Sequence, residues 1–332
     1  MSKEPIAAPP RAPRPQRRAA EPAAAPAVRQ NWLLFIDTNI LLDFYRLGVG
    51  SSDRQLRLLE KHKSSLILTN QVWMEFLKNR QKVIMATMGN LKKPDKMSFP
   101  PIVAGYQPAK TAQAQVDSAI KSHAKVKQKI EAILRDPAHN DPVYKALKRI
   151  FEASGDFVVG REHPDRLKIR SLARKRAVLG YPPRKDSDVS VGDAVNWEWI
   201  VHCAQKSTDL HNVMIVSRDN DYGVTIGDEG FLNDWLRKEF KERVSRKRNI
   251  LLTQKLTVAL KKLDEIVRPE DEQEEARVIQ KSPYRSQFAF NSSPGTFDAE
   301  TMEVILEHLS TGFGTRTIGP SHRPADGNSD LA

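Results

Sequence analysis

The chain has 332 residues, 39% hydrophobic and 28% charged, with a formal net charge of +12 and one cysteine. That length suits one large domain or a domain with appendages, and the lone thiol, Cys203, excludes an internal disulfide framework and fits a reducing cytoplasm. No apolar run approaches the roughly 20 residues of a membrane span, and the N-terminal residues lack the apolar core of a secretory signal.

The charge is unevenly spread. Residues 1–30 carry 6 basic and 2 acidic side chains (+4), residues 81–185 carry 22 and 9 (+13), and residues 269–332 carry 5 and 11 (−6). Residues 1–30 are Pro, Ala and Arg with almost no large apolar side chain, so they are expected to form a disordered tail.

Trp32 to Ile36 is an unbroken apolar run, the pattern of a strand buried on both faces in a parallel sheet. Asp37 then falls just beyond the carboxyl end of that strand, where open α/β sheets place their chemistry. Ser51 or Ser52 starts a helix through Leu56, Leu59 and Lys63. Ser65 to Thr69 reads as a second strand, and Asn70 as the cap of a helix through Arg80. On that helix Val72, Phe76 and Asn79 share the face of Glu75, so the carboxylate is expected to point inward.

Residues 81–185 read as a basic helical insertion leaning over the sheet. Pro94, Pro100, Pro101 and Pro108 break its first part. Thr111 to Leu134 then carries an apolar stripe (Val116, Ala119, Ile120, Val126, Ile130, Ile133). Lys121, Lys125 and Lys129 line one face of the same helix, and Pro142 opens another. Arg174, Lys175 and Arg176 make a basic patch ahead of Tyr181. Tyr181, Arg184 and Lys185 lie just upstream of Asp193 and read either as a phosphate-contacting lip or as a plain connector. Like charge gathered on an arm beside an acidic site suits a polyanion, and nucleic acid is the expected partner.

Asp193 lies in the first turn of a helix that runs to Lys206 and is apolar on more than one side. Val213 to Ser217 is a third strand, ending in Arg218-Asp219-Asn220-Asp221. A helix is predicted over Phe231 to Phe240, a short strand at Ile250 to Leu252, and a helix capped by Thr253 through Val267. The domain is expected to span residues 31–268. Residues 269–332 read as an acidic linker, Glu270 to Glu275, and a mostly flexible tail with a short amphipathic helix at Thr301 to Leu309.

One acid at a strand exit is more often a helix cap than a ligand. Asp37, Glu75, Asp193 and Asp219 recur at equivalent places in four elements, which reverses that balance. Converging carboxylates repel unless a cation joins them. Oxygen-only ligands, without a Cys or His cluster, point to Mg²⁺ or Mn²⁺. No Ser/His/Asp or Cys/His constellation and no glycine-rich phosphate loop competes.

The order Asp37-Thr38-Asn39, then helix-borne Glu75, then Gly192-Asp193, then Ser217-Arg218-Asp219-Asn220-Asp221 resembles the PIN-like nuclease domains over Trp32 to Arg80 and Gly192 to Trp235. The resemblance implies a three-layer α/β fold with a central, mainly parallel sheet. It makes Asp37, Glu75, Asp193 and Asp219 the metal-binding catalytic acids, with Asn39, Ser217 and Asp221 in support. It implies metal-dependent phosphodiester hydrolysis, with RNA preferred and an endoribonuclease expected, and a toxin or phage-defence role is compatible with it. A second copy of the chain or an inhibitory protein joins nucleic acid among the partners it allows. The long insertion departs from small members of the family. The rival reading is a catalytically inactive PIN-like scaffold that binds RNA or protein, against which the presence of all four acids speaks. An aspartyl-nucleophile phosphatase needs a second Asp where Asn39 stands.

Overall fold

The computed structural model describes residues 31–89, 91–183, 191–207 and 211–281. β1 (Trp32–Ile36) is buried along its whole length, as its five apolar residues require. α1 (Thr38–Leu42) follows at once, its first N–H bonded to the side chain of Asp37. α2 (Val49–Lys61) starts slightly ahead of the expected Ser51, with Gly48 at its cap. After β2 (Leu66–Thr69) comes α3 (Asn70–Met88), which bears Glu75. Its cap is Thr69, not Asn70: Thr69 Oγ1 accepts from the Val72 N–H at 3.0 Å.

The insertion contains α4 (Pro101–Ala104), α5 (Gln107–Arg135), α6 (Pro137–Asn140), α7 (Pro142–Phe151), β3 (Val158–Val159) and α8 (Arg166–Leu179). Much of it is domain core. Val143, Ala146, Leu147 and Ile150 of α7 and Ile169 and Ala173 of α8 are buried within the main apolar cluster. β3 extends the sheet in parallel with β2. Arg80 of α3 donates from Nε to Asp141 Oδ2 at 2.8 Å, and Tyr45 donates to the same oxygen at 2.7 Å. α5 differs. Of its 29 residues only Ala109 is buried, and Val126 of the expected apolar stripe is 47% exposed.

The second half runs α9 (Gly192–Lys206), β4 (Asn212–Val216), β5 (Gly223–Ile226), β6 (Glu229–Leu232), α10 (Asp234–Arg243), β7 (Ile250–Thr253), α11 (Leu256–Lys262) and α12 (Pro269–Lys281). The helix expected from Phe231 is instead a hairpin followed by a helix that starts at Asp234. Glycine decides this. A Cβ on Gly223 would lie 2.1 Å from the Phe231 carbonyl oxygen, and one on Gly230 would lie 2.2 Å from that of Leu252. Only a bare backbone permits strands to approach so closely.

Together the strands form one seven-stranded sheet, ordered β3-β2-β1-β4-β7-β6-β5. Pairs from β3 to β7 are parallel, and β6 and β5 are added antiparallel. β1 and β4 are buried on both faces, so helices must cover both sides, giving the expected three-layer α/β arrangement. From β1 the chain leaves to one side through β2 and β3, then returns on the other through β4 and β7. The crevice beyond the carboxyl ends of β1 and β4 is therefore a topological switch point.

The acidic run is no linker. It forms α12, which docks on the domain through its carboxylates, so the packed body extends past residue 268 to Lys281. Asp271 accepts from Arg54 at 2.5 and 3.1 Å. Glu275 accepts from the Leu256 and Thr257 N–H groups at 2.5 and 3.1 Å, capping α11. The segment Thr301 to Leu309 lies outside the described residues. Replacing Glu275 with Ala should uncap α11 and cost roughly 3 kcal/mol in denaturant unfolding, while Ala at exposed Glu270 should cost under about 0.5. Equal small losses would show that α12 is not held by its buried acid.

Candidate active site

The strand exits bring the acids together. The Asp37 N–H donates to Val216 O at 2.9 Å and the Ser217 N–H to Thr253 O at 3.0 Å, so the ends of β1 and β4 stand side by side. Asp37 is buried, and each of its oxygens is held by the chain. Oδ1 accepts from the Thr38 N–H at 2.6 Å. Oδ2 accepts from Asn39 Nδ2 at 2.8 Å and Ser217 Oγ at 2.5 Å. Ser217 Oγ also accepts from the Asp219 N–H at 3.0 Å, so one hydroxyl ties the β1 acid to the β4 loop.

Asp219 and Asp221 lie on the loop after β4, and Asp193 enters from the first turn of α9. Carboxylate oxygens of Asp193, Asp219 and Asp221 lie within 4.8 Å of one another. Glu75 accepts from Gln71 Nε2 at 2.6 Å and from Thr38 Oγ1 at 3.1 Å. Gly192 leaves room for it, since a Cβ there would sit 2.7 Å from Glu75 Oε1. Asp37 and Glu75 stand outside the tight trio, yet their charges are felt across the crevice. Burial, with Asp219 and Glu75 adding repulsion, pushes the Asp37 carboxyl from its ordinary 3.8 up to about 6. Its hydrogen bonds from Ser217 and Thr38 oppose that rise.

The sequence profile of one family, described as PIN domain, matches residues 34–222. The chain belongs to the PIN domain family. No curated protein and no solved structure matches it.

In this PIN domain the grouping differs in detail from the sequence expectation. Asp221, expected only in support, joins Asp193 and Asp219 in the tightest group, while Asp37 and Glu75 flank it. Asn39 and Ser217 contact Asp37 as a supporting role requires. Oxygen donors at these separations fit a hard divalent cation. Lys121, Lys125 and Lys129 are exposed on α5. Tyr181 packs against Trp235 in a tilted arrangement with ring centroids 5.0 Å apart, and both rings are partly exposed. Arg184 and Lys185 lie outside the described residues. Arg176, from the expected basic patch, is buried and donates to Glu198 at 2.8 and 3.0 Å, so it serves the fold.

Sequence reasoning gave no role to Thr38, Gln71 or Gly192. Thr38 lay within the Asp-Thr-Asn motif, and Gln71 one helical turn before Glu75, so both carried a usable signal. Arg218 went unassigned as well. It is buried in an ion pair with Asp43, and burial pulls its guanidinium down to about 10.

The Asp37 value lies above its ordinary one. Protonated Asp37 thus favours the fold below about pH 4, and that contribution is lost as pH rises through 6. In chelator, Asp37→Asn should be more stable than wild type by about 1–3 kcal/mol at pH 8, the gain shrinking through pH 6 and vanishing near pH 4. Unfolding curves across that range check this, and a pH-independent difference would rule out charge burial as the cause.

Proposed function

We propose that this PIN domain is a divalent-metal-dependent nuclease that hydrolyses phosphodiester bonds, with RNA as substrate and Mg²⁺ or Mn²⁺ as cofactor. One observation carries the reading: acids from separate elements meet at the switch point of a parallel sheet. Asp193, Asp219 and Asp221 would hold the cation, with Asp37 and Glu75 flanking it. A divalent cation there supplies Lewis acidity and an acidified water. Thr38, Asn39 and Ser217 keep the Asp37 oxygens fixed, and Gln71 and Thr38 do the same for Glu75, so little reorganisation is needed when substrate arrives. Glu75 is half-exposed and restrained at both oxygens, which suits it to orient a water at the phosphate.

The substrate side of the reading rests on charge and on aromatic surface. α5 offers Lys121, Lys125 and Lys129 on one face, a row for a phosphate backbone. Tyr181 and Trp235, with Lys238 Nζ 5.9 Å from the Trp235 ring centre, form a platform of the kind on which bases stack. Trp235 sits close to the acid loop by hydrogen bonding: its N–H donates to Asn233 Oδ1, and the Asn233 N–H donates to Tyr222 O. Among the described residues no helix is long and apolar enough to cross a membrane.

Purified protein should degrade labelled single-stranded RNA with Mg²⁺ or Mn²⁺, stop in chelator, and lose at least about 100-fold in rate as Asp219→Asn. Wild type and variant behaving alike would reduce the domain to a binding module. Replacing Lys121, Lys125 and Lys129 together with Glu should weaken RNA binding. The slope of log affinity against log salt should fall by at least roughly 2, as for three lost single-strand phosphate contacts. An unchanged slope would place those lysines in plain solvent.

A further inference from the structure

Tyr222 closes the loop that carries Asp219 and Asp221. Its side chain is fully buried, with the ring 6.0 Å from that of Phe35 on β1. Phenylalanine would fill the same space, so the hydroxyl needs its own explanation. That hydroxyl is buried and has no hydrogen-bond partner among the described residues. Buried hydroxyls are ordinarily paired, because stripping one of water without a partner is unfavourable.

The acid cluster lies near that unpartnered hydroxyl. The carboxylates that act on the Tyr222 hydroxyl are Asp193, Asp37, Asp219 and Glu75, from α9, the β1 exit, the β4 loop and α3. A phenolic O–H carries its proton at neutral pH, so the hydroxyl is a donor. The backbone that carries the ring is held in place. Tyr222 O accepts from the Asn233 N–H at 2.9 Å, and the Gly223 N–H donates to Asn220 O at 3.1 Å, pinning the backbone on both sides. Gly223 itself, at φ 152, is pressed against β6.

A carboxylate that gives one oxygen to a cation presents the other to its surroundings, and a donor there fixes its orientation. We propose that Tyr222 is a positioning residue of the acid cluster, its hydroxyl donating to a carboxylate oxygen when a divalent cation draws the acids together. The inference rests on the metal reading of this site and adds a donor that the ion-free arrangement leaves unused.

The test compares full-length wild type with Tyr222→Phe after chelation. Mn²⁺ is titrated, with free ion read by electron paramagnetic resonance and the melting temperature followed in parallel. Tyr222→Phe should melt at or above the wild-type temperature without ion, bind Mn²⁺ at least about 10-fold more weakly, and show a smaller Mn²⁺-induced rise. A wild-type Mn²⁺ affinity in the variant overturns the proposal alone. A variant that loses stability without ion, with unchanged affinity or with no fold left to titrate, overturns it too and assigns the hydroxyl to the fold. If wild type itself binds no Mn²⁺, the metal reading falls and takes the proposal with it.

Discussion

Mutual repulsion among carboxylates is the constraint this fold must contain. Asp37 is sealed in the interior within reach of Asp219 and Glu75, and burial first, with their repulsion added to it, raises its pKa to about 6. Flexible loops would relieve that repulsion by splaying. Here Asp37, Asp219 and Asp221 leave β1 and β4, paired along their full length and buried on both faces, so splaying them would break the centre of the sheet. The remaining freedom is taken up by Thr38, Asn39, Gln71 and Ser217, which hold the oxygens by hydrogen bonds. Ser217 spans the two strand exits, so moving Asp37 disturbs the Asp219 backbone as well.

A second set of charges anchors the elements that bear the acids. α3, which carries Glu75, is fixed to the start of α7 by buried Arg80 and Asp141. The β4 loop is held from behind by buried Arg218, which meets Asp43 at the end of α1 and feels Glu275 of α12. α9, which carries Asp193, is gripped at Glu198 by Arg176 of α8 and Arg243 of α10. Buried pairs of this kind add little net stability over apolar packing, but losing one partner leaves an uncompensated interior charge. They make each carrier's position all-or-none. The insertion and α12, which look dispensable beside the sheet, hold three of these anchors.

How much of this was legible depended on whether the signal was local. β1, β2 and β4 follow from apolar runs too continuous for a surface strand, and α3 and α9 from their helical spacing. The acids were visible because each stands where such an element ends or begins. What escaped was written in contacts distant along the chain. Gly223 and Gly230 look like loop residues until β6 and β7 are seen pressing on them. The run Glu270 to Glu275 looks like a solvated linker because its partners, Arg54 and the start of α11, are distant or were not counted as partners. Arg176 read as part of a basic patch for the same reason. Charge density alone cannot separate a cation that faces solvent from one that neutralises a buried acid, and α5 and α8 fall on opposite sides of that line.

The same distinction governs how a polyanion reaches this site. A crevice of five acids repels phosphate, so the basic surface matters only if something neutralises the crevice first. The arginines nearest in sequence or contact do not: Arg218 faces the interior, and Arg176 and Arg243 are committed to Glu198 and Glu239. The donors that touch the carboxylates of Asp37 and Glu75 are amides, hydroxyls and a backbone N–H, which orient charge without cancelling it. Among the described residues these arginines serve the architecture, while neutral donors hold Asp37 and Glu75. Under the metal reading proposed above, a divalent cation would supply the positive charge that the neutral donors at Asp37 and Glu75 do not.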